Sequence, residues 1–248
     1  MLATFLVEIA YLLLVQQLVR IDFKNFPYTV TTIFVGVEPM NLKSSLFDKN
    51  NDSESRIFYD EQKASQKLAI ELISLLPVGI VKRPVVLVCI GTDRSTGDSL
   101  GPLIGTLLEE KKVSPFYVYG TLEDPIHAVN LDEKLKEIKA KHINPIIIGI
   151  DACLGRLKSV GVIQVGEGPV KPGAGVKKEL PEVGNYHITG IVNVSGFMEF
   201  FVLQNTRLNL VLKMAKVIAN GIYEASLTYQ PSNSWSSLNL EWEQEQSK

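Results

Sequence analysis

Two uninterrupted apolar runs stand out in the hydrophobic pattern of the chain, VVLVCI at 85–90 and PIIIGI at 145–150. Runs of this kind, rich in β-branched residues, are typical of strands that are covered on both faces in a parallel sheet. Each run is followed directly by a loop that contains aspartate. The remaining pattern predicts helices at 60–76, 100–111 and 131–141, strands at 116–119, 160–165 and 186–194, and one or two helices over 196–225, with 204–207 as the point of interruption.

This alternation of strands and helices predicts an α/β fold, a three-layer αβα sandwich with a mostly parallel sheet. We expect the folded domain to span residues 60–225. Ligands of such sheets bind beyond the carboxyl ends of the strands, where the loops gather. Outside the domain, residues 1–39 are interpreted as a doubtful N-terminal extension, residues 40–59 as a polar, flexible segment and residues 226–248 as a flexible C-terminal tail.

The apolar stretch Ile9–Val15 (IAYLLLV) in the N-terminal extension resembles a signal or anchor poorly. It has no preceding Lys or Arg, and it is shorter than the roughly 20 apolar residues that span a bilayer. Gly36-Val37-Glu38 can be encoded by a purine-rich stretch that resembles a bacterial ribosome-binding site upstream of Met40. We therefore hypothesise that translation begins at Met40.

Composition and charge narrow the class of partner. The 248 residues carry a formal net charge of -2 without a block of like charges, which gives no electrostatic reason to expect nucleic acid or a membrane as partner. Cys89 and Cys153 lie in or just after apolar runs, a pattern that favours reduced thiols in a cytoplasmic protein over a disulfide. Self-association into a homo-oligomer stays open.

The first candidate site is the loop GTDRSTGDSLGP at 91–102. It lacks the Gly-Lys-Ser/Thr ending of a phosphate-binding loop and the glycine spacing of a dinucleotide-binding turn. Asp98 stands at the predicted helix entrance, so it is either a helix cap or a functional carboxylate. Asp93 is the weaker candidate. The glycines, including Gly97, allow close approach of backbone to a ligand and make Gly97 a candidate substrate-binding residue.

The second candidate site is Asp151, which directly follows the apolar run at 145–150. A carboxylate there is costly to desolvate unless it is exposed, paired or hydrogen-bonded. It either caps local amides or pairs with Arg156, or it converges with Asp98 over the sheet. Two carboxylates that share one site cannot both ionise easily, so one keeps its proton while the other acts as a base. Such a pair can activate water and protonate the leaving amine of a peptide bond.

Further candidates surround these two aspartates. The segment 169–178 (PVKPGAGVKK) is either a mobile connection or a substrate loop, with Lys171, Gly173 and Gly175 as its substrate-binding candidates. His187 is a structural histidine, a base or, with Asp98 and Asp151, a ligand of a divalent transition metal. A thiol nucleophile at Cys153 with His187 as its base ranks third. His127 and His142 are interpreted as surface residues.

Four motifs carry a family resemblance: GDSLGP at 97–102, IDACLGR at 150–156, KPGAGV at 171–176 and GFMEFFVLQNTRL at 196–208. With them the chain closely resembles the YyaC-type sporulation proteins of endospore-forming bacteria. More distantly, it is similar to the germination protease that degrades small acid-soluble spore proteins, and to hydrogenase maturation proteases. The chain has no recognisable propeptide of the germination protease, so zymogen control does not carry over.

The resemblance implies a phosphorylase/hydrolase-like αβα fold and catalytic roles for Asp98 and Asp151. It implies a cytoplasmic peptidase-like hydrolase, in the forespore or mother cell, that needs no cofactor and acts on a peptide or protein substrate such as spore proteins. One alternative is a non-catalytic binding or regulatory protein on the same fold. The other is a metal-dependent maturation-type protease with Asp98, Asp151 and His187 as ligands, in which His187 with Gly190 matches the family's histidine only loosely.

Overall fold

A computed structural model describes residues 55–77, 83–173 and 180–229. The predicted N-terminal extension, the Met40 start and most of the predicted C-terminal tail lie outside the described residues. The strands are β1 (Ser55–Phe58), β2 (Val85–Cys89), β3 (Tyr117–Tyr119), β4 (Ile146–Gly155), β5 (Val162–Glu167) and β6 (Tyr186–Val194). The helices are α1 (Ala64–Leu75), α2 (Leu100–Lys111), α3 (Leu131–Lys141), α4 (Glu199–Gln204) and α5 (Leu208–Thr228).

The strands form one six-stranded sheet in the order β1-β5-β6-β4-β2-β3. Strands β3, β2, β4 and β6 run parallel, whereas β5 is antiparallel to both β6 and β1. The two apolar runs at 85–90 and 145–150 contribute β2 and β4, which are direct neighbours. The prediction of an α/β fold with a mostly parallel sheet is therefore confirmed.

Both faces of the sheet are covered. In β2, Leu87 and Cys89 face a core that also holds buried residues of α1, α2 and α5. Val86 and Val88 face a second core with Leu131 of α3. Since successive residues of a strand point to opposite faces, complete burial of β2 requires cover on both sides, and this explains its uninterrupted apolar sequence.

The strand order places a topological switch point between β2 and β4. The chain passes from β2 through α2 to β3 on one side, and then through α3 to β4 on the other side of β2. The loops that follow β2 and β4 therefore diverge in opposite directions and leave a crevice between them. In open α/β sheets this crevice is where ligands bind.

Three boundaries differ from those predicted. Residues 55–58 form the edge strand β1 rather than the end of a flexible segment, because Ile57 is buried against the core while its strand neighbours stay partly or fully exposed. Helix α1 begins at Ala64 rather than at residue 60. Helix α5 continues to Thr228, and the Tyr229 ring packs against the Phe116 ring in a tilted arrangement, with 5.5 Å between centroids. The break predicted at 204–207 does separate α4 from α5.

Among the described residues, no helix combines the length and the apolar character that crossing a membrane requires.

The central strands should dominate stability. Ile148 of β4 is fully buried, whereas Ile143, in the turn before β4, is 90% exposed. We expect Ile148→Ala to lower the free energy of unfolding by about 2–5 kcal/mol through lost burial and a residual cavity. The matched change Ile143→Ala should stay within about 0.5 kcal/mol. Urea denaturation followed by circular dichroism measures both, and equal effects would contradict the described position of β4.

Candidate active site

A cavity of about 480 Å³ lies at the carboxyl ends of β2 and β4, in the crevice of the switch point. Its walls come from the loop after β2, the stretch before α3, the end of β4, the segment around Pro172 and helix α4. The titratable side chains that line it are Arg94, Asp98, His127, Asp151 and Cys153. The structure therefore brings the two aspartates selected from the sequence into one cavity.

Asp151 is held at the end of the buried half of β4, where it pairs with Thr189 of β6. Its Oδ1 accepts a hydrogen bond of 2.8 Å from the amide of Ala152. The amide cap is thus confirmed, while Arg156 is exposed and forms no ion pair within the described residues. Burial is the main cause that raises the pKa of Asp151 to about 8, although the Ala152 amide opposes this.

Asp98 comes from the loop between β2 and α2. Helix α2 begins at Leu100, its cap position is Ser99, and no side chain caps it, so the interpretation of Asp98 as a helix cap is wrong. The loop folds back on itself: the Asp98 carbonyl accepts a bond of 3.1 Å from the Thr92 amide. It also lies so close to Gly91, at φ 148°, that any Cβ there would overlap it. The lack of a side chain at Gly91 therefore allows the backbone of Asp98 to approach the end of β2 this closely.

Burial also raises the pKa of Asp98, and the nearby Ser95 hydroxyl opposes that increase. Ser95 Oγ is itself buried, and it forms no hydrogen bond of full geometry with the described residues. The Ser95 hydroxyl thus lies near enough to the Asp98 carboxylate to favour its ionised form, although the two do not form a well-aligned hydrogen bond. Ser95 gives Asp98 a local donor beside its carboxylate.

The two aspartates influence each other electrostatically. The negative charge of Asp98 further raises the pKa of Asp151, after the larger effect of burial. Near neutral pH, Asp151 is therefore the member of the pair that keeps its proton. Because the groups interact, the apparent pKa values of a titration belong to the pair.

The other predicted contacts are placed differently. Gly97 is buried and outside the cavity lining; its amide donates to the Leu203 carbonyl at 2.9 Å, and a side chain there would collide with Leu203 of α4. Gly97 therefore packs the loop against α4.

Lys171 is also outside the cavity lining and forms an exposed ion pair with Glu182 at 2.8 Å. Gly173 does line the cavity, whereas Gly175 lies outside the described residues.

His187 is on β6, the strand beside the one that carries Asp151. It pairs with Gly149 on β4, two residues before Asp151, it is buried, and its Nδ1 lies 3.2 Å from the Gly168 carbonyl oxygen. The cavity lining does not include it. Within the described ranges, no group of three or more His, Cys, Asp or Glu side chains is arranged to hold a metal ion. Asp98 and Asp151 remain the residues that could contribute to such a site.

Sequence reasoning missed His127, and it misplaced His142. His127 lines the cavity, although its sequence neighbourhood gave no signal for this. His142 is buried rather than on the surface, with its Nε2 2.8 Å from the Tyr119 hydroxyl. Cys153 lines the cavity, whereas Cys89 is buried in β2, and burial raises the pKa of the Cys89 thiol far above its ordinary value.

Comparison with known proteins places this site within a family. The model of a family described as "Protein of unknown function (DUF1256)" matches residues 56–221. The chain belongs to this family. A curated relative, "Uncharacterized protein YyaC" from Bacillus subtilis (strain 168), is 56% identical over 183 residues, which cover 74% of this chain and 89% of the relative. The resemblance to YyaC-type proteins is confirmed.

The range matched by the DUF1256 family contains the whole candidate site. It begins within β1, includes every cavity-lining residue from Ile90 to Gln204, and ends within α5. The candidate site and the sheet that carries it therefore both lie within the part of the chain that matches the family. Kinship with the germination protease stays a prediction.

The raised pKa of Asp151 makes stability depend on pH. Unfolded aspartate ionises near pH 3.8, whereas folded Asp151 keeps its proton to about pH 8. Between these values the folded state binds more protons, so we expect its stability to fall as pH rises, by at most about 1.4 kcal/mol per pH unit. Asp151→Asn should remove this contribution. Urea titrations from pH 4 to 9 measure the difference between variant and wild type.

The control for this titration is Asp93→Asn, which changes an exposed aspartate of the neighbouring loop outside the cavity lining. It should keep the wild-type dependence on pH. If Asp151→Asn and the wild type lose stability in parallel over this window, Asp151 ionises normally and the described burial of its carboxyl group is incorrect.

Proposed function

We propose that the chain is a peptidase-like hydrolase in which Asp98 and Asp151 activate water for cleavage of a peptide bond. The observation that carries this proposal is the convergence of two partly buried carboxyl groups on one cavity, where burial raises the pKa of both. Perturbed acids in a cleft are the expected machinery of acid/base catalysis. The finer fold expectation, a phosphorylase/hydrolase-like three-layer αβα sandwich, is part of the proposal.

The different environments of the two aspartates suggest different roles. Asp98, beside the Ser95 hydroxyl, acts as the base that takes a proton from water. The water oxygen attacks the carbonyl carbon and forms a tetrahedral intermediate. Asp151 then gives its proton to the amide nitrogen as the C–N bond breaks, which releases an amine and a carboxylic acid. Proton exchange with solvent restores both aspartates for the next cycle.

The biological setting follows from resemblance. Matching aspartates in the germination protease are regarded as catalytic, and this supports a role in sporulation or germination in the cytoplasm of a spore-forming bacterium. The substrate is then a peptide or protein, with spore proteins as the first class to test. The segment around Gly173, which borders the cavity, is the proposed contact for an extended peptide.

A cleavage assay tests the proposal. Purified protein is incubated with a peptide library and with small acid-soluble spore proteins, and the products are read by mass spectrometry. We expect Asp98→Asn and Asp151→Asn each to reduce the rate by about 10²–10⁴-fold, the usual contribution of a general acid or base. Asp93→Asn, a change outside the cavity in the same loop, should retain wild-type activity. Equal cleavage by the double aspartate variant, or none by the wild type, contradicts the proposal.

The pH profile provides a second measurement on any peptide that is cleaved. Because Asp151 must be protonated, kcat/KM should fall above about pH 8. kcat/KM should also fall at low pH, with an apparent pKa above the ordinary range of aspartate, since the pKa of Asp98 is raised as well. A rate that is flat across pH 8 would exclude Asp151 as the acid.

Two alternatives have their own outcomes. A non-catalytic binding protein would keep its spore phenotype when Asp98 and Asp151 are both replaced and the protein stays folded. A metal-dependent protease would contain stoichiometric transition metal when purified without an affinity tag, and EDTA would abolish its activity. Either result would replace the proposed mechanism.

A further inference from the structure

His127 is a cavity residue that neither the sequence motifs nor the aspartate pair accounts for. It precedes α3 in the stretch Pro125–Asn130 and lines the same cavity as Asp98 and Asp151. Ile126 forms a parallel bridge with Ile90, directly after β2. The position of His127 is thus set by the sheet end that also carries the Asp98 loop.

Hydrogen bonds fix the backbone of this stretch. The Ile126 carbonyl accepts a bond of 2.8 Å from the Gly91 amide, which ties the stretch to the end of β2. The His127 amide donates to Asn130 Oδ1 at 2.8 Å, and Asn130 Nδ2 donates to the Pro125 carbonyl at 3.0 Å. The imidazole is therefore carried by a closed turn anchored to the sheet, which limits its movement.

A further bond selects one form of the imidazole. The Val129 amide donates to His127 Nδ1 at 3.3 Å. A nitrogen that accepts this bond holds no proton, so the ring proton of neutral His127 is on Nε2. In its neutral form, His127 is thus a hydrogen-bond donor through Nε2.

The proposed reaction requires such a donor. Attack by water places negative charge on the carbonyl oxygen, and preorganised donors at this oxygen are usually the largest catalytic contribution. Asp98 accepts a proton in that step, and the proton of Asp151 is used on the leaving amine. Arg94 and Gln204 also line the cavity, but both residues are exposed. The Ser95 hydroxyl is buried beside Asp98.

We infer that His127 is a third catalytic residue, which donates a hydrogen bond from Nε2 to the carbonyl oxygen of the bound peptide group. The inference rests on the proposed function for its reaction. Its structural basis is independent of the aspartate pair, since it follows from the cavity and the fixed tautomer. The ligand class is a peptide carbonyl, recognised as a hydrogen-bond acceptor that becomes an oxyanion.

Kinetics of three variants test the inference on a peptide that the wild type cleaves. His127→Leu removes the donor and should lower kcat by about 10²–10³-fold with KM little changed, because the bond strengthens in the transition state. His127→Gln keeps an N–H donor and should recover part of this loss. His142→Leu, the same change at a buried histidine outside the cavity, should keep wild-type kcat at a temperature where it is folded. Wild-type kcat in His127→Leu would overturn the inference.

A second measurement does not require hydrolysis. Protein labelled with ¹⁵N-histidine is examined by long-range ¹H–¹⁵N correlation near pH 7, with His127→Gln used to assign the signal. We expect the Nε2-protonated neutral form, and a saturable shift of this signal when N-methylacetamide, the smallest peptide group, is added. A neutral ring that is protonated at Nδ1, or the lack of a saturable shift, would overturn the inference.

The two measurements separate the two proposals. If no peptide is cleaved but the His127 signal behaves as expected, peptidase function fails and His127 stands as a carbonyl-binding donor. If peptides are cleaved through Asp98 and Asp151 while His127→Leu is fully active, the function stands and the inference about His127 fails.

Discussion

Desolvation of the Asp151 carboxyl group is the constraint on which the candidate site depends. Strand β4 lies between β2 and β6, so the residue after its buried apolar half has protein on both sides. One local amide, that of Ala152, bonds to this carboxyl group, and the charge of Asp98 is near. Ionisation there would require a charge in a poorly solvated place, and the proton is therefore retained. The position of Asp151 in the sheet is thus the physical cause of its raised pKa.

Close backbone packing positions Asp98 at the same cavity as Asp151. A side chain at Gly91 would overlap the Asp98 carbonyl, and one at Gly101 in the first turn of α2 would overlap the Ile90 carbonyl. Glycine at both positions lets α2 begin directly against the end of β2. The loop that carries Asp98 consequently lies against the crevice between β2 and β4. The same packing that stabilises this end of the sheet thus limits how far apart the two acids can be.

The parts of the structure that the sequence predicted are those whose signal is local. Strands β2 and β4 are apolar throughout because both faces are buried, and Asp151 was selected because it ends such a run. Strand β1 was missed because it is a four-residue edge strand with one buried side chain, too short for an alternating pattern. His127 was missed because its place depends on the bridge between Ile126 and Ile90, a contact between segments far apart in sequence.

The asymmetry between the two acids has a structural origin that a sequence motif does not contain. Two carboxyl groups in equal surroundings would share one proton without a fixed direction of transfer. Here Asp98 is on a loop with the Ser95 hydroxyl beside it, while Asp151 is on a central strand and accepts a hydrogen bond from the Ala152 amide. The loop position tolerates charge better than the strand position does. In the proposed reaction, the depth of each residue in the fold therefore sets the direction of proton transfer, from water to Asp98 and from Asp151 to the leaving group.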